Sequence, residues 1–239
     1  MPLENEHRSS DSPYIQRVWR SHASGEARMT SIAASTWEIV FWEHLGLVHA
    51  AVRGPETMVS HVDVPDGLVS FGITFAHGAS MPHLPAARLV DSALASPHAT
   101  ARTFLLGGQE WAIPGYESAE QFVDRLVRAG AVVRDPLVDD VVAGDLPDVG
   151  TRSVQRRVAA ATGLTQGSIR QIERARRAVI LLGEGVTPIE VVNRLGYYDQ
   201  PHLARSLARF IGRTATELRA EDADQPLSLL YKTDTPTGS

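Results

Sequence analysis

Residues 187–210 read TPIEVVNRLGYYDQPHLARSLARF. Thr187 and Glu190 stand three apart with Pro188 between them, a capping box with proline at the first helical position. The helix so started runs to Leu195 and stops at Gly196, which can take the left-handed backbone of a tight turn. Asp199 can cap a second helix. Val191, Leu195, Leu203, Leu207 and Phe210 fall where the two helices pack together. Gln200, His202, Arg205, Ser206 and Arg209 are left on the other side. Two short helices, a glycine turn and a second helix rich in long polar side chains describe a helix-turn-helix unit.

Working outward, a second, weaker copy lies upstream. Asp135-Pro136 starts a helix over Pro136–Ala143, residues 144–149 form the turn, and Gly150–Ala161 the next helix, with Arg152, Gln155 and Arg156 on one face. A longer helix at 166–182 joins the copies and spans roughly 25 Å at about 1.5 Å per residue. That length can hold two recognition helices near one DNA turn apart, about 34 Å. Ser118–Gln121 and Thr214–Glu217 read as further capping boxes. From Pro114-Gly115 to about 220 the pattern predicts seven helices and no strands.

The segments GTRSVQRRVAAATGLTQ (150–166), RARRAVILL (174–182) and GYYDQPHLARSLARFIGRTATELR (196–219) resemble the AraC/XylS family of bacterial regulators. The resemblance covers about 118–220, and GYYDQPHLAR at 196–205 is its most specific part. It implies a seven-helix domain whose two helix-turn-helix units enter successive major-groove segments. Carried over by position, the base-reading candidates are Arg152, Gln155 and Arg156 in the first unit and Pro201, His202 and Arg205 in the second. Gln200 lies beside them, and Thr151 and Arg209 are phosphate candidates. Asp139, Asp140, Asp145 and Asp148 flank the first recognition helix and would repel phosphate if they faced it. Weaker likeness to sensor domains of such regulators lies in residues 12–19, 52–55 and 71–75.

The first half has a different texture. Thr36–Trp42, Leu47–Val52, Met58–Val64 and Leu68–Phe75 are rich in β-branched and aromatic residues and are separated by Gly54-Pro55 and Pro65-Asp66-Gly67, so they read as strands. Leu84–Leu94 reads as a short helix. Thr103–Leu106 and Gln109–Ile113 form a hairpin through Gly107-Gly108. The expected organisation is α+β in two domains: a polar, flexible tail at 1–12, a β-rich sensor or dimerisation domain of cupin-like form at 13–115, a DNA-binding domain at 116–220, and a tail at 221–239 partly docked through Leu227–Tyr231.

Composition bounds what this organisation can do. The chain of 239 residues has no cysteine, which excludes disulfides, thiol nucleophiles and thiolate metal sites and fits a reducing compartment. No apolar run is long enough to cross a bilayer, and the first residues lack a signal-peptide core, so a cytoplasmic location without membrane attachment is expected. The net charge of −5 hides a strong asymmetry: residues 150–219 carry twelve arginines against five acidic residues, while 135–149 hold five acids and no base. A basic block in an acidic chain is the footprint of a nucleic-acid face, and arginine suits both phosphate and guanine.

Eight of the nine histidines precede residue 99. His44, His49, His61, His77 and His83 raise the idea of a cupin-like metal site, but no His-x-His pair appears, and structural or surface histidines are the expectation, with no cofactor. Trp19, Trp37, Trp42 and Trp111 either line an apolar ligand pocket or fill a core. Ser92, Ser96 and His98 have no nucleophile-elbow context, so no catalysis is implied. The sequence thus predicts a transcriptional regulator that binds double-stranded DNA. Its N-terminal domain would bind a small-molecule effector or hold a homodimer together. The alternatives are a metal-dependent cupin-like enzyme fused to a DNA-binding domain and a ligand-free dimeric DNA-binding protein.

Overall fold

A computed structural model describes residues 3–145 and 149–220. Among the described residues, twelve strands precede or interrupt the helices: β1 (Leu3–Arg8), β2 (Ile15–Ala23), β3 (Ala27–Ser31), β4 (Glu38–His44), β5 (Leu47–Arg53), β6 (Ser60–Val64), β7 (Val69–Phe75), β8 (Ala79–Ser80), β9 (Ala93–Ala95), β10 (Thr103–Leu106), β11 (Gln109–Ala112) and β12 (Val133–Arg134). The seven α-helices among the described residues are α1 (Ala119–Arg128), α2 (Pro136–Ala143), α3 (Thr151–Thr162), α4 (Gln166–Gly183), α5 (Pro188–Leu195), α6 (Gln200–Phe210) and α7 (Ala215–Arg219). The protein is α+β, with a β-rich first part and a helical second part.

The main sheet has six antiparallel strands in the order β1-β2-β7-β4-β5-β9. Its strands alternate as the pleat requires. Ile39 and Phe41 of β4, Val18 of β2, Ile73 and Phe75 of β7 and Val52 of β5 face one core. Glu38, Val40 and Trp42, with Arg17, Trp19 and Arg53, face a cavity on the other side, beneath the β3–β6 ribbon. The hairpin β10–β11 turns through Gly107 and Gly108, both at positive φ, as a tight two-residue connection requires.

Three expectations are corrected here. Residues 1–12 were expected to be a loose tail, yet Leu3–Arg8 pairs with β2 along its length. The guanidinium of Arg8 forks onto Glu120, at 2.5 and 2.8 Å, and donates to the Tyr116 carbonyl at 2.7 Å. Leu84–Leu94 holds only a single 3-10 turn at Ala86–Arg88, because its second half leaves to form β9 at the sheet edge. The third correction concerns 116–132. Phe122, Val123 and Leu126 of α1 are fully buried against Phe41 and Phe104, so this helix closes the sheet core rather than the helical one. Ser118 makes no cap bond to α1; its Oγ accepts from the Gly115 amide instead.

The second hydrophobic cluster starts at Val138 and gathers α2–α7 around α4. It also takes in Ile32 and Ala33 from the loop after β3. The connection between the two cores is itself a strand: β12 pairs with β8. Asp135 donates its amide to the Gly78 carbonyl, and Asp139 accepts from the Gly78 amide at 2.7 Å and from Arg134 at 2.9 Å. Thr187–Glu190 and Thr214–Glu217 form the capping boxes their sequence predicts, and Asp135 and Asp199 cap α2 and α6. The expected docking of Leu227–Tyr231 lies outside the described residues.

Candidate nucleic-acid interface

Helices α5 and α6 meet through Gly196 at φ 67°. Val191, Leu203, Leu207 and Phe210 are buried between them and α4, and Leu195 is half-buried against the same cluster. This leaves Gln200, Pro201, Arg205 and Arg209 exposed and His202 half-buried. The Asp199 carboxylate accepts the His202 amide at 2.7 Å, and the His202 Nδ1 accepts the Tyr198 amide at 3.3 Å. With Nδ1 used as an acceptor, the neutral ring carries its proton on Nε2 and presents a donor. Ser206 departs from its expected place on the polar side. It is buried, and its hydroxyl meets the Tyr197 hydroxyl at 3.2 Å. Burial raises the Tyr197 pKa, outweighing the Ser206 bond and the nearby Arg174, whose guanidinium lies 4.4 Å from the ring centroid.

In α3, Val154, Val158 and Ala161 are buried, while Thr151, Arg152, Gln155 and Arg156 are exposed. Arg157 turns inward: its Nε donates to Asp135 Oδ2 at 2.6 Å and its Nη2 to Oδ1, which ties α3 to the start of α2. That bond, more than partial burial, holds the Asp135 carboxyl below its ordinary pKa. Asp139, feared as a repulsive neighbour of the first recognition helix, is bound at the seam by Gly78 and Arg134. Asp140 and Asp145 are exposed, and Asp148 lies outside the described residues.

The arginines of the helical half differ in their surroundings. Arg157 and Arg176 are bonded inward, Arg176 to the Ala33 carbonyl at 2.9 Å, and Arg174 packs on Tyr197. Arg152, Arg156 and Arg205 are exposed and make no hydrogen bond or ion pair among the described residues. Gln155 and Gln200 are likewise uncommitted. Along α4, Arg170, Arg174 and Arg177 border a shallow groove with Arg194 of α5.

The sheet side holds a cavity of about 410 Å³. Trp19 and Trp42 line it, whereas Trp37 stacks on Phe75 and Trp111 packs on Phe122 in the core. The histidines scatter. His49 stacks on Trp42 beside His44, His61 meets Thr30, and His83 lies under Gly107. His77 bonds Ser35, which also donates to Glu173 of α4. Burial lowers the His77 pKa, against the pull of Glu173 and Asp139, and so favours its neutral form. No group of three or more potential metal-ligating side chains converges among the described residues. Among the described residues, no helix is long and apolar enough to cross a membrane. No protein-family model, curated protein or solved structure gives a significant match to the chain.

Proposed function

We propose that the protein is a two-domain transcriptional regulator of the AraC/XylS type, which binds double-stranded DNA through α3 and α6. The observation that carries this reading is where exposed, unbonded side chains fall: Arg152 and Arg156 on α3 and Arg205 on α6, the two helices that follow the turns. Leaving long polar side chains unpaired on a surface helix adds nothing to folding, and suits a helix that reads base edges. In this account α2–α3 and α5–α6 are helix-turn-helix units. Arg152, Gln155, Arg156, His202 and Arg205 supply readout, with Gln200 and Pro201 exposed beside them. Thr151 and Arg209 hold phosphates. Helix α4 spaces the two units; its 18 residues rise about 27 Å, and side-by-side packing of the units adds to that toward the roughly 34 Å of one DNA turn. The β-rich domain, cupin-like in enclosing a cavity between its strands, binds the effector. The charged and aromatic walls of that cavity favour effector control over a purely dimerising role.

The test is a pair of substitutions assayed on an operator selected with the full chain. Arg205→Ala should cost about 1–3 kcal/mol at that site and blur preference at one or two base pairs. Arg209→Ala should weaken all sequences alike and flatten the salt dependence. Equal, sequence-independent losses for both would overturn the assignment of the recognition face.

A further inference from the structure

The register of the main sheet sorts the cavity wall into layers. Glu38 pairs across the ladders with Arg53 and Thr74, and Thr74 with Arg17: a charged layer. Two residues on, Val40 pairs with Ala51 and Gly72, and Gly72 with Trp19: an apolar layer. Two further, Trp42 pairs with His49 and Ser70. His49 is exposed, which puts this third layer at the mouth. The outer layers are about 14 Å apart at 3.4 Å per residue. Val62 and Val64 of the ribbon also line the space, as does Arg176 of α4, which joins Glu56 near the charged end.

Three guanidiniums, those of Arg17, Arg53 and Arg176, line the cavity with the carboxylates of Glu38 and Glu56, and Arg53 contacts both carboxylates. Both carboxylates are engaged by the wall. Glu38 Oε2 accepts from Trp19 Nε1 at 3.0 Å and from Thr74 Oγ1 at 3.2 Å, and Oε1 lies 3.5 Å from Arg53. Glu56 accepts from Ser31 at 2.7 Å and from Arg53 at 2.8 Å. Burial would lower the Arg53 pKa, but Glu38 and Glu56 outweigh it and raise it. Asp63, at the rim, is exposed and lies directly across the ribbon from Arg28. Arg53 is bonded to Glu56 and lies beside Glu38, and Arg176 is bonded to the Ala33 carbonyl, so these five groups together carry one net positive charge.

We infer that this cavity binds a small organic monoanion, a carboxylic acid with a compact apolar body. Its carboxylate sits among Arg17, Arg53 and Arg176, and its body fills the Val40–Trp19 layer toward Trp42. A volume of about 410 Å³ falls in the range of small-molecule sites and suits such a guest. The ligand class deepens the effector role proposed above. Because Arg176 belongs to the helix that spaces the two DNA-reading units, the bound acid touches that helix directly.

The experiment is calorimetry on the full chain without DNA, so that its outcome is independent of the DNA-binding reading. The probes are 3-phenylpropionate and octanoate, each beside its primary amide, and 3-phenylpropylamine. At least one acid should bind, with its amide at least ten-fold weaker, because a guanidinium–carboxylate bond is lost. Arg176→Gln should weaken that acid at least ten-fold and leave the amide unchanged. Val40→Phe, which fills the apolar layer, should abolish binding of every probe while circular dichroism stays native. The inference is overturned by equal binding of acid and amide, by tighter binding of the amine, by no binding of either acid at millimolar concentration, or by acid binding that survives a folded Val40→Phe.

Discussion

Gly72→Ala is the sharpest local test of the wall just described. Gly72 sits opposite Trp19 in the ladder, and its backbone is not at positive φ, so alanine brings no backbone strain. What it brings is a collision. A Cβ there would lie 2.3 Å from Cε2, 2.4 Å from Cζ2 and 2.5 Å from Nε1 of the Trp19 indole, about 1 Å inside ordinary contact. The ring cannot retreat without breaking its 3.0 Å bond to Glu38. Overpacking of this kind costs about 1–3 kcal/mol. A lost hydrogen bond to a carboxylate costs about 1.5–3 kcal/mol, softened here because Thr74 and Arg53 still serve Glu38. The net expectation is a destabilisation of about 2–4 kcal/mol, with the indole pushed into the cavity. Urea denaturation followed by circular dichroism measures the first, and tryptophan emission reports the second. In a Trp19→Leu background the same Gly72→Ala change should cost under about 1 kcal/mol, giving a coupling energy well above the scatter of independent sites. A loss below about 0.5 kcal/mol for Gly72→Ala alone, with unchanged emission, would refute the packing of Trp19 against the sheet.

Other consequences follow from the same contacts. Phe122→Ala empties a fully buried site in the sheet core and should cost about 3–5 kcal/mol by denaturation, although it lies on a helix. A fragment starting at 116 should bind a hydrophobic dye through the bared face of α1, and one starting at 133 should not; equal dye binding would show that α1 does not depend on the sheet. Arg8 holds the Glu120 pKa down to about 2, chiefly through their hydrogen bonds, so the stability from this pair is full above about pH 4.5 and is lost as pH falls toward 2. In Arg8→Ala the acid-side decline should be shallower, as read from urea midpoints between pH 6 and 2. Tyr197→Phe should cost about 0.5–1.5 kcal/mol through the lost Ser206 bond, with no change in helix content by circular dichroism.

What the sequence made legible was local. Caps at Thr187, Asp199, Thr214 and Asp135 act over three or four residues, and α2, α5, α6 and α7 begin where those residues predict. The strands β4, β5 and β7 were equally readable, because β-branched and aromatic residues crowd into short runs between turn residues such as Gly54-Pro55 and Pro65-Asp66-Gly67. What escaped is non-local. The pattern of α1 marks an amphipathic helix but carries no information about which core its stripe joins. LENEHR offers no apolar face, since β1 is a largely exposed edge strand held by the ladder to β2 and by Arg8 reaching a helix 112 residues away. Ser206 looked like surface because serine is polar, but its partner, Tyr197, supplies the hydroxyl that lets it be buried. The exposed candidates on α3 and α6 were legible from helical periodicity, whereas the cavity required cross-strand register, which pairs Arg17, Thr74, Glu38 and Arg53 from four separate strands.

The short bridge between the two cores sets how many directions the helical half can take. A free linker of two residues would let it sweep a broad cone. Here those residues form β12, laced to β8, with Asp139 locked to Gly78 and Arg134. On the far side, the Ala33 and Val59 amides donate to the Phe210 and Arg209 carbonyls. Anchored at two separated points, the helices cannot pivot about either one alone. The orientation of the helical half relative to the sheet is thus set by backbone bonds at both ends, and a change in it would have to break one set or the other.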